Sequence, residues 1–213
     1  MTVSAPTNIR HRIIGVTMLM AFILYLDRIC MGEIVKSASF HHDLGLSKEQ
    51  IGRILGAFFF AYALLQVPAG WACDRFRLRW GRLLPMTSSM FVCAASYLCC
   101  PFVGSTWLLV ACCAVVSFCT DLANPALWAF MGDVGGRATA AAGGWANMWG
   151  NFGAGAGALL VPWLMKIGGG DGKTLVFFTL AGAFMLAGLL VLPMDATRKL
   201  IPDESPQPHP AAA

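Results

Sequence analysis

Long apolar runs, separated by short polar or basic stretches, set the pattern of the chain from residue 13 onwards. Six such runs occur, at residues 13–30, 51–73, 83–103, 106–131, 140–165 and 174–193. An α-helix needs roughly 20 residues to cross the hydrocarbon core of a bilayer, and each run can supply that length. The pattern therefore predicts an all-α, polytopic membrane protein with about six transmembrane helices.

The composition agrees with this prediction and argues against a soluble globular protein or an enzyme. Of the 213 residues, 57% are hydrophobic and 12% are charged, whereas a soluble domain carries roughly 25% charged residues. The chain thus lacks the polar surface that would cover a water-exposed globule. The eight cysteines form neither a C-x-x-C pair nor a metal-ligand spacing, and no nucleophile–base pair is visible. We expect a lipid bilayer as the surroundings, and no enzymatic activity, nucleic-acid partner, metal or cofactor.

Basic residues give the predicted orientation. The short loop at residues 74–82 carries four arginines, and loops rich in Arg and Lys stay on the cytoplasmic side. We expect a multi-pass protein of the inner cell membrane with both termini in the cytoplasm. Residues 1–12 would be the cytoplasmic N-terminus, and residues 195–213, with four prolines, a disordered cytoplasmic tail. The first run, behind Arg10 and Arg12, could also be a signal peptide, but it begins a series of runs and is predicted to be a membrane helix.

A charged motif closes the second apolar run. It places Gly70, Asp74, Arg75 and Arg79 in the order G-x-x-x-D-R-x-x-x-R. A carboxylate at a helix end can pair with arginines and with a neighbouring helix dipole, which would latch two helix bundles at the cytoplasmic face. The alternative is a simple positive-inside anchor. The motif resembles the signature loop of the major facilitator superfamily, with Arg77 in place of that loop's second glycine.

Further segments resemble the anion:cation symporter branch of the same superfamily, which includes carriers of hexuronates, galactonate and phthalate. The resemblance covers about residues 10 to 195. The segments are Tyr25-Leu-Asp27-Arg28, the stretch from Ala57 through Tyr62 and Gln66 to Trp71, Asp121-Leu-Ala-Asn124-Pro-Ala-Leu-Trp128, Asp133 to Arg137, and Gly144-Trp-Ala-Asn147-Met-Trp-Gly-Asn151.

The resemblance implies a partial major facilitator fold, because a full transporter of this kind has two six-helix halves. Residues 13–82 are similar to the first two helices of the N-terminal half with the signature loop. Residues 83–194 are similar to the last four helices of the C-terminal half, so the chain resembles an internally truncated carrier. The implied function is secondary active transport of a small organic anion with protons or sodium, which the truncation could abolish. The alternative is a non-transporting membrane protein, either a truncated remnant or a subunit acting through helix packing.

The same resemblance implies roles for individual residues. Arg28 would clamp the substrate's carboxylate, which suits a two-pronged guanidinium. Asp27 would be the proton-coupling acid. From the residues alone, Asp27 and Arg28 could instead form an interfacial ion pair. Asp121 is either a titratable group that lines the cavity, which makes it a second candidate for proton coupling, or a structural residue beside a Pro125 kink. The whole predicted substrate-binding set is Tyr25, Arg28, Tyr62, Gln66, Asn124, Trp128, Asn147 and Asn151.

Assembly follows from the helices that the resemblance leaves out. The fifth run has a face of small and polar residues, including Gly143, Gly150 and Gly157, of the kind that packs closely against another helix. Without its usual partner helices, this face and the polar residues near it would meet lipid, which is costly. We therefore expect either a homodimer that restores about twelve helices or a poorly folded chain.

Overall fold

The computed structural model describes residues 8–36, 47–75 and 78–194, apart from some side chains between residues 8 and 107. These residues form six α-helices and no strand, so the prediction of an all-α fold is confirmed. The helices are α1 (Asn8–Lys36), α2 (Lys48–Arg75), α3 (Leu78–Cys99), α4 (Thr106–Gly135), α5 (Thr139–Gly168) and α6 (Gly172–Val191). The predicted tail at residues 195–213 lies outside the described residues.

Three stretches of the described residues are long and apolar enough to cross a membrane. The first is His11–Cys30 in α1, and the second is Gly81–Phe102, which covers most of α3. The third, Leu108–Val191, is 84 residues long and contains three successive helices, α4 to α6. Length and composition thus agree with a chain that passes through a bilayer several times.

Short 3₁₀ turns connect the last four helices. They are Cys100–Phe102, Gly136–Ala138 and Gly169–Asp171. Gly136 and Gly169 have φ values of 50° and 53°, a backbone conformation that glycine adopts at little cost because it lacks a Cβ. Connections this short make consecutive helices antiparallel neighbours, as in a helical bundle.

One shared core holds the bundle together. The most extensive helix contacts join α1 to α5, and α3 to both α4 and α6. Fully buried side chains come from both ends of the chain, among them Met20 of α1, Tyr97 of α3, Phe130 of α4 and Phe184 of α6. The first helix and the last four therefore pack directly against one another in the part of the chain that the structure describes.

Glycines allow α1 and α5 to approach closely. A Cβ added at Gly153 would overlap the backbone carbonyl oxygen of Phe22, and one at Gly157 would lie 2.9 Å from that of Leu26. The expectation that the fifth helix would use its glycines for close packing is confirmed. The expectation that this face would be left to lipid is wrong for Gly150 and Gly157, because α1 of the same chain covers them. Asn147 and Asn151 of the same face are exposed in the described bundle.

An ion pair joins the start of α3 to the end of α4. The Arg82 Nε donates to an Asp133 carboxylate oxygen at 2.8 Å, and the two side chains are 11% and 24% exposed. Because both groups are largely removed from solvent, their interaction is screened less than that of a surface pair. Arg82 thus contributes a contact between helices as well as a positive charge near the basic loop.

Candidate functional site

A small cavity lies between α1 and α4, on the helices that carry the predicted proton-coupling residues. Its volume is about 30 Å³. A cavity of this size holds water but not an organic anion, since ligand pockets measure roughly 300–1,000 Å³. The side chains that line it are Leu24, Tyr25, Asp27 and Arg28 from α1, and Ser117, Thr120, Asp121 and Asn124 from α4.

Asp27 is held by a partner that the sequence analysis did not identify. The carboxyl is only 2% exposed, and Oδ1 accepts a hydrogen bond from the hydroxyl of Tyr97 in α3. Tyr97 stands within the apolar run at residues 83–103 and is itself fully buried. A hydroxyl within such an apolar run needs a hydrogen-bond partner, so the sequence could predict that Tyr97 has one. It could not predict that the partner is Asp27.

Charges of both signs meet at the cavity. Asp121 of α4 lies close enough to Arg28 of α1 for their charges to interact, and it also interacts with the Asp27 carboxyl. The cavity wall therefore carries two carboxyl groups and one guanidinium. Asp121 is half-buried and lines the cavity, which places it where the cavity-lining alternative requires. Pro125 lies four residues later inside α4, so the carbonyl of Asp121 lacks its usual helical donor.

Tyr25 connects the cavity to α5. Its hydroxyl donates to Asn147 Oδ1 at 3.2 Å. Asn151, one turn further along α5, donates from Nδ2 to the backbone carbonyl of Asn147 at 2.8 Å. Both asparagines are exposed in the described bundle. The structure thus brings Asn147 to the cavity through Tyr25, while Asn151 bonds to its own helix.

Four of the predicted substrate residues are not among the side chains that line the cavity: Asn147, Asn151, Trp128 and Gln66. Trp128 is half-buried, and its ring would be 3.7 Å from a Cβ added at Gly143 of α5. Gln66 is half-buried in α2, and none of the described side chains of that helix lines the cavity. The side chain of a fifth residue, Tyr62, lies outside the described part of the structure. The predicted substrate set is therefore gathered only in part.

The signature loop is described in part. Arg75 is exposed, and its guanidinium carbon lies 5.2 Å from the centre of the Trp71 ring, an arrangement that allows a cation–π interaction. At Gly70 an added Cβ would meet no atom within 4 Å. The side chains of Asp74 and Arg79 lie outside the description, so the latch remains a prediction. Among the described residues no group of three or more His, Cys, Asp or Glu side chains could hold a metal ion.

The sequence is similar to a family of known proteins and to individual transporters. Residues 17–213 match the model of the Major Facilitator Superfamily. The chain is similar to a probable sulfoacetate transporter of Cupriavidus necator, with 39% identity over 67 residues, which are 32% of this chain and 15% of that protein. It is also similar to a probable galactarate/D-glucarate transporter of Bacillus subtilis, with 37% identity over 70 residues, 33% of this chain and 15% of that protein.

A third relative is the D-galactonate transporter of Escherichia coli, 31% identical over 70 residues, which are 33% of this chain and 16% of that protein. The chain therefore aligns with only about one sixth of the length of the curated relatives it matches. No solved structure matches the chain.

Proposed function

Since the chain belongs to the major facilitator superfamily, a family of membrane transporters, we propose that it takes part in secondary active transport of a small organic anion, coupled to protons. The observation that carries this proposal is the pairing of two carboxyl groups with one guanidinium around a single cavity. The names of the relatives support the substrate class, because each refers to transport of a small organic anion.

The charges explain how an anion and a proton would be coupled. With both carboxyls ionised, Asp27 and Asp121 outnumber Arg28, and the excess negative charge repels an anion. That repulsion is strong away from bulk water, where the effective dielectric constant is low. A proton on either carboxyl removes one negative charge and lets a substrate carboxylate or sulfonate bind Arg28 through two hydrogen bonds. Anion binding would therefore require proton binding, which is the condition for symport. A sodium ion near the carboxyls would have the same electrostatic effect.

Polar groups beside Arg28 would recognise the rest of the substrate. Tyr25 lines the cavity and is hydrogen-bonded to Asn147, and both side chains can donate and accept hydrogen bonds. Sugar acids carry several hydroxyls that match such groups. Asn124 also lines the cavity. We therefore favour a hydroxylated sugar acid as the substrate, with Arg28 on its acid group.

A second copy of the chain would complete the binding site. The described cavity is far smaller than a ligand pocket, and Asn147 and Asn151 are exposed in the single bundle. Exposed polar side chains within a bilayer core need a protein or water-filled surface opposite them. A two-fold homodimer would place a second polar face there and supply about twelve helices in two halves. In this arrangement the chain lies in the inner membrane. Both termini of each chain are on its cytoplasmic side, together with the arginine-rich loop at residues 74–82.

One observation favours a second candidate function. The alignments cover about 15% of each relative, so much of a relative's substrate pathway has no counterpart within the aligned residues. On this alternative the chain is a non-transporting membrane protein that acts by packing against other helices.

Anion binding separates the two candidates. Isothermal titration of detergent-purified protein with galactarate, sulfoacetate or galactonate is expected to give saturable binding that Arg28→Ala removes. Arg53→Ala is the matched control, because Arg53 is exposed and its side chain pairs with Glu49 at the start of α2. Absence of binding to correctly folded protein, or equal loss in both variants, would favour the non-transporting alternative.

A further inference from the structure

Tyr97 holds a fixed position beside Asp27. Its side chain is fully buried, and its ring centre lies 6.0 Å from that of Phe177 and 5.9 Å from that of Phe184, both in α6. Two aromatic contacts on one ring leave it little rotational freedom. The hydroxyl at the end of this ring donates to Asp27 Oδ1. The α3–α6 packing thus determines where the donor to Asp27 lies.

The groups around this pair have different chemistry. α1 contributes Arg28 and Cys30, α3 contributes Cys93 and Tyr97, and α4 contributes Asp121 and Cys113. On the α6 side the described contacts of Tyr97 are the two phenylalanine rings. Thiols are weak donors, whereas a phenol hydroxyl is a good one. Tyr97 is therefore well suited to stabilise a carboxylate at Asp27 without adding a charge.

We propose that Tyr97 is the positioning residue of the proton-coupling acid: its hydroxyl fixes Oδ1 of Asp27 toward α3, so that Asp27 gains and loses its proton on the cavity side. This inference rests on the proposed function. It gives Tyr97 no contact with the anion and no proton transfer of its own. Its effect on transport passes entirely through Asp27.

The proton step is a simple addition. A proton from water in the cavity adds to the Asp27 carboxylate, which becomes a neutral carboxylic acid, and the same proton leaves when the site faces the other side. Tyr97 keeps its own proton and remains the donor to Oδ1 in both states. Without the hydroxyl, the carboxyl can rotate, and its ionised form loses a stabilising hydrogen bond in an apolar interior.

Two readouts test the proposal in reconstituted full-length chain. Tyr97→Phe removes only the hydroxyl and keeps the ring packing. We expect it to reduce proton-driven anion accumulation at least about tenfold, as for the loss of one hydrogen bond to a charged group, while anion exchange at equal pH stays within twofold of wild type. In infrared difference spectra between acidic and alkaline pH, the carboxyl band that Asp27→Asn abolishes should shift in Tyr97→Phe. In an Asp27→Asn background, Tyr97→Phe should cause no further loss of coupling.

Ser89→Ala is the matched control, because it also removes a buried hydroxyl from α3, one with no hydrogen-bond partner among the described residues. It should leave both readouts at wild-type values. An unshifted Asp27 band in Tyr97→Phe, or equal losses of exchange and accumulation, would overturn the proposal. If Tyr97→Phe shifts the Asp27 band but the wild-type chain shows neither exchange nor accumulation, the proposed transport is refuted and the Tyr97–Asp27 interaction stands.

Discussion

Gly153 in α5 lies directly against the backbone carbonyl of Phe22 in α1, where any side chain would overlap the carbonyl oxygen. The contact lies three residues before Tyr25 and five before Asp27 on the same helix. The distance between α1 and α5 therefore sets where the site residues of α1 stand. A glycine in an apolar helix thus bears on the geometry of the charged cavity.

Gly153→Ala should separate α1 from α5 and destabilise the bundle. The methyl group would meet backbone, which cannot rotate away as a side chain can, so we expect a cost of about 1–3 kcal/mol or more, as for overpacked cores. Gly155→Ala is the control, because a Cβ at Gly155 meets nothing within 4 Å. Thermal unfolding followed by size-exclusion chromatography in detergent compares the two variants. Equal melting temperatures would contradict the described α1–α5 interface.

The Arg82–Asp133 pair should contribute more to stability than an exposed ion pair in the same chain. Removing either partner takes away a largely buried, charged hydrogen bond between α3 and α4, at a cost of about 1–3 kcal/mol. Glu49→Ala breaks an ion pair whose side chains are 76% exposed, and should cost less than about 0.5 kcal/mol. The exchanged double variant Arg82→Asp/Asp133→Arg should recover part of the loss. If Asp133→Ala is no more destabilising than Glu49→Ala, the pair does not join α3 to α4.

Asn147 and Asn151 should differ in their effect on anion affinity, although they lie one turn apart. Asn147 accepts the Tyr25 hydroxyl, whereas Asn151 bonds to its own helix backbone. We expect Asn147→Ala to weaken anion binding by about 2–10-fold, the range for one neutral hydrogen bond, and Asn151→Ala to weaken it less. Titration of each variant with galactarate gives the ratio. A larger loss for Asn151→Ala would show that the anion site lies elsewhere on α5.

The orientation in the membrane can be tested independently of transport. Because the arginine-rich loop at residues 74–82 should stay inside, a reporter active only in the cytoplasm should be active when fused after Ala213. The same reporter placed between α3 and α4, at Gly104, should be inactive. Activity at Gly104 with none at Ala213 would contradict the predicted orientation and indicate the opposite one.

The helices could be predicted from the sequence, because each apolar run is long enough to form a helix that crosses a bilayer. The glycines of α5 could also be assigned to close packing, since small residues spaced along one helix face have few other uses in a membrane. Their partner could not be predicted. The resemblance to a larger carrier suggested that the partner helices were absent, whereas α1 of the same chain fills the position.

Contacts between distant residues account for most of what the sequence did not indicate. Tyr97 and Asp27 are 70 positions apart, and Arg82 and Asp133 are 51 apart. The local sequence accounts for each residue type without indicating its distant partner. Tyr97 is an aromatic residue in an apolar run, and Arg82 is a charged residue beside a loop. Only the packing of α3 against α1 and α4 shows which of them meet. Trp128 and Gln66 illustrate the opposite error. Both were predicted to bind substrate because they lie in the resembled motifs, but neither lines the cavity.

Proton-driven uptake into liposomes tests the central claim most directly. Purified chain would be reconstituted, and radiolabelled galactarate uptake measured with an inward proton gradient, with an inward sodium gradient, and with the proton gradient removed by a protonophore. We predict uptake above that of protein-free liposomes, driven by the proton gradient, abolished by the protonophore and absent in Arg28→Ala. Folded wild-type protein that shows no gradient-driven uptake of galactarate, sulfoacetate or galactonate would contradict the account.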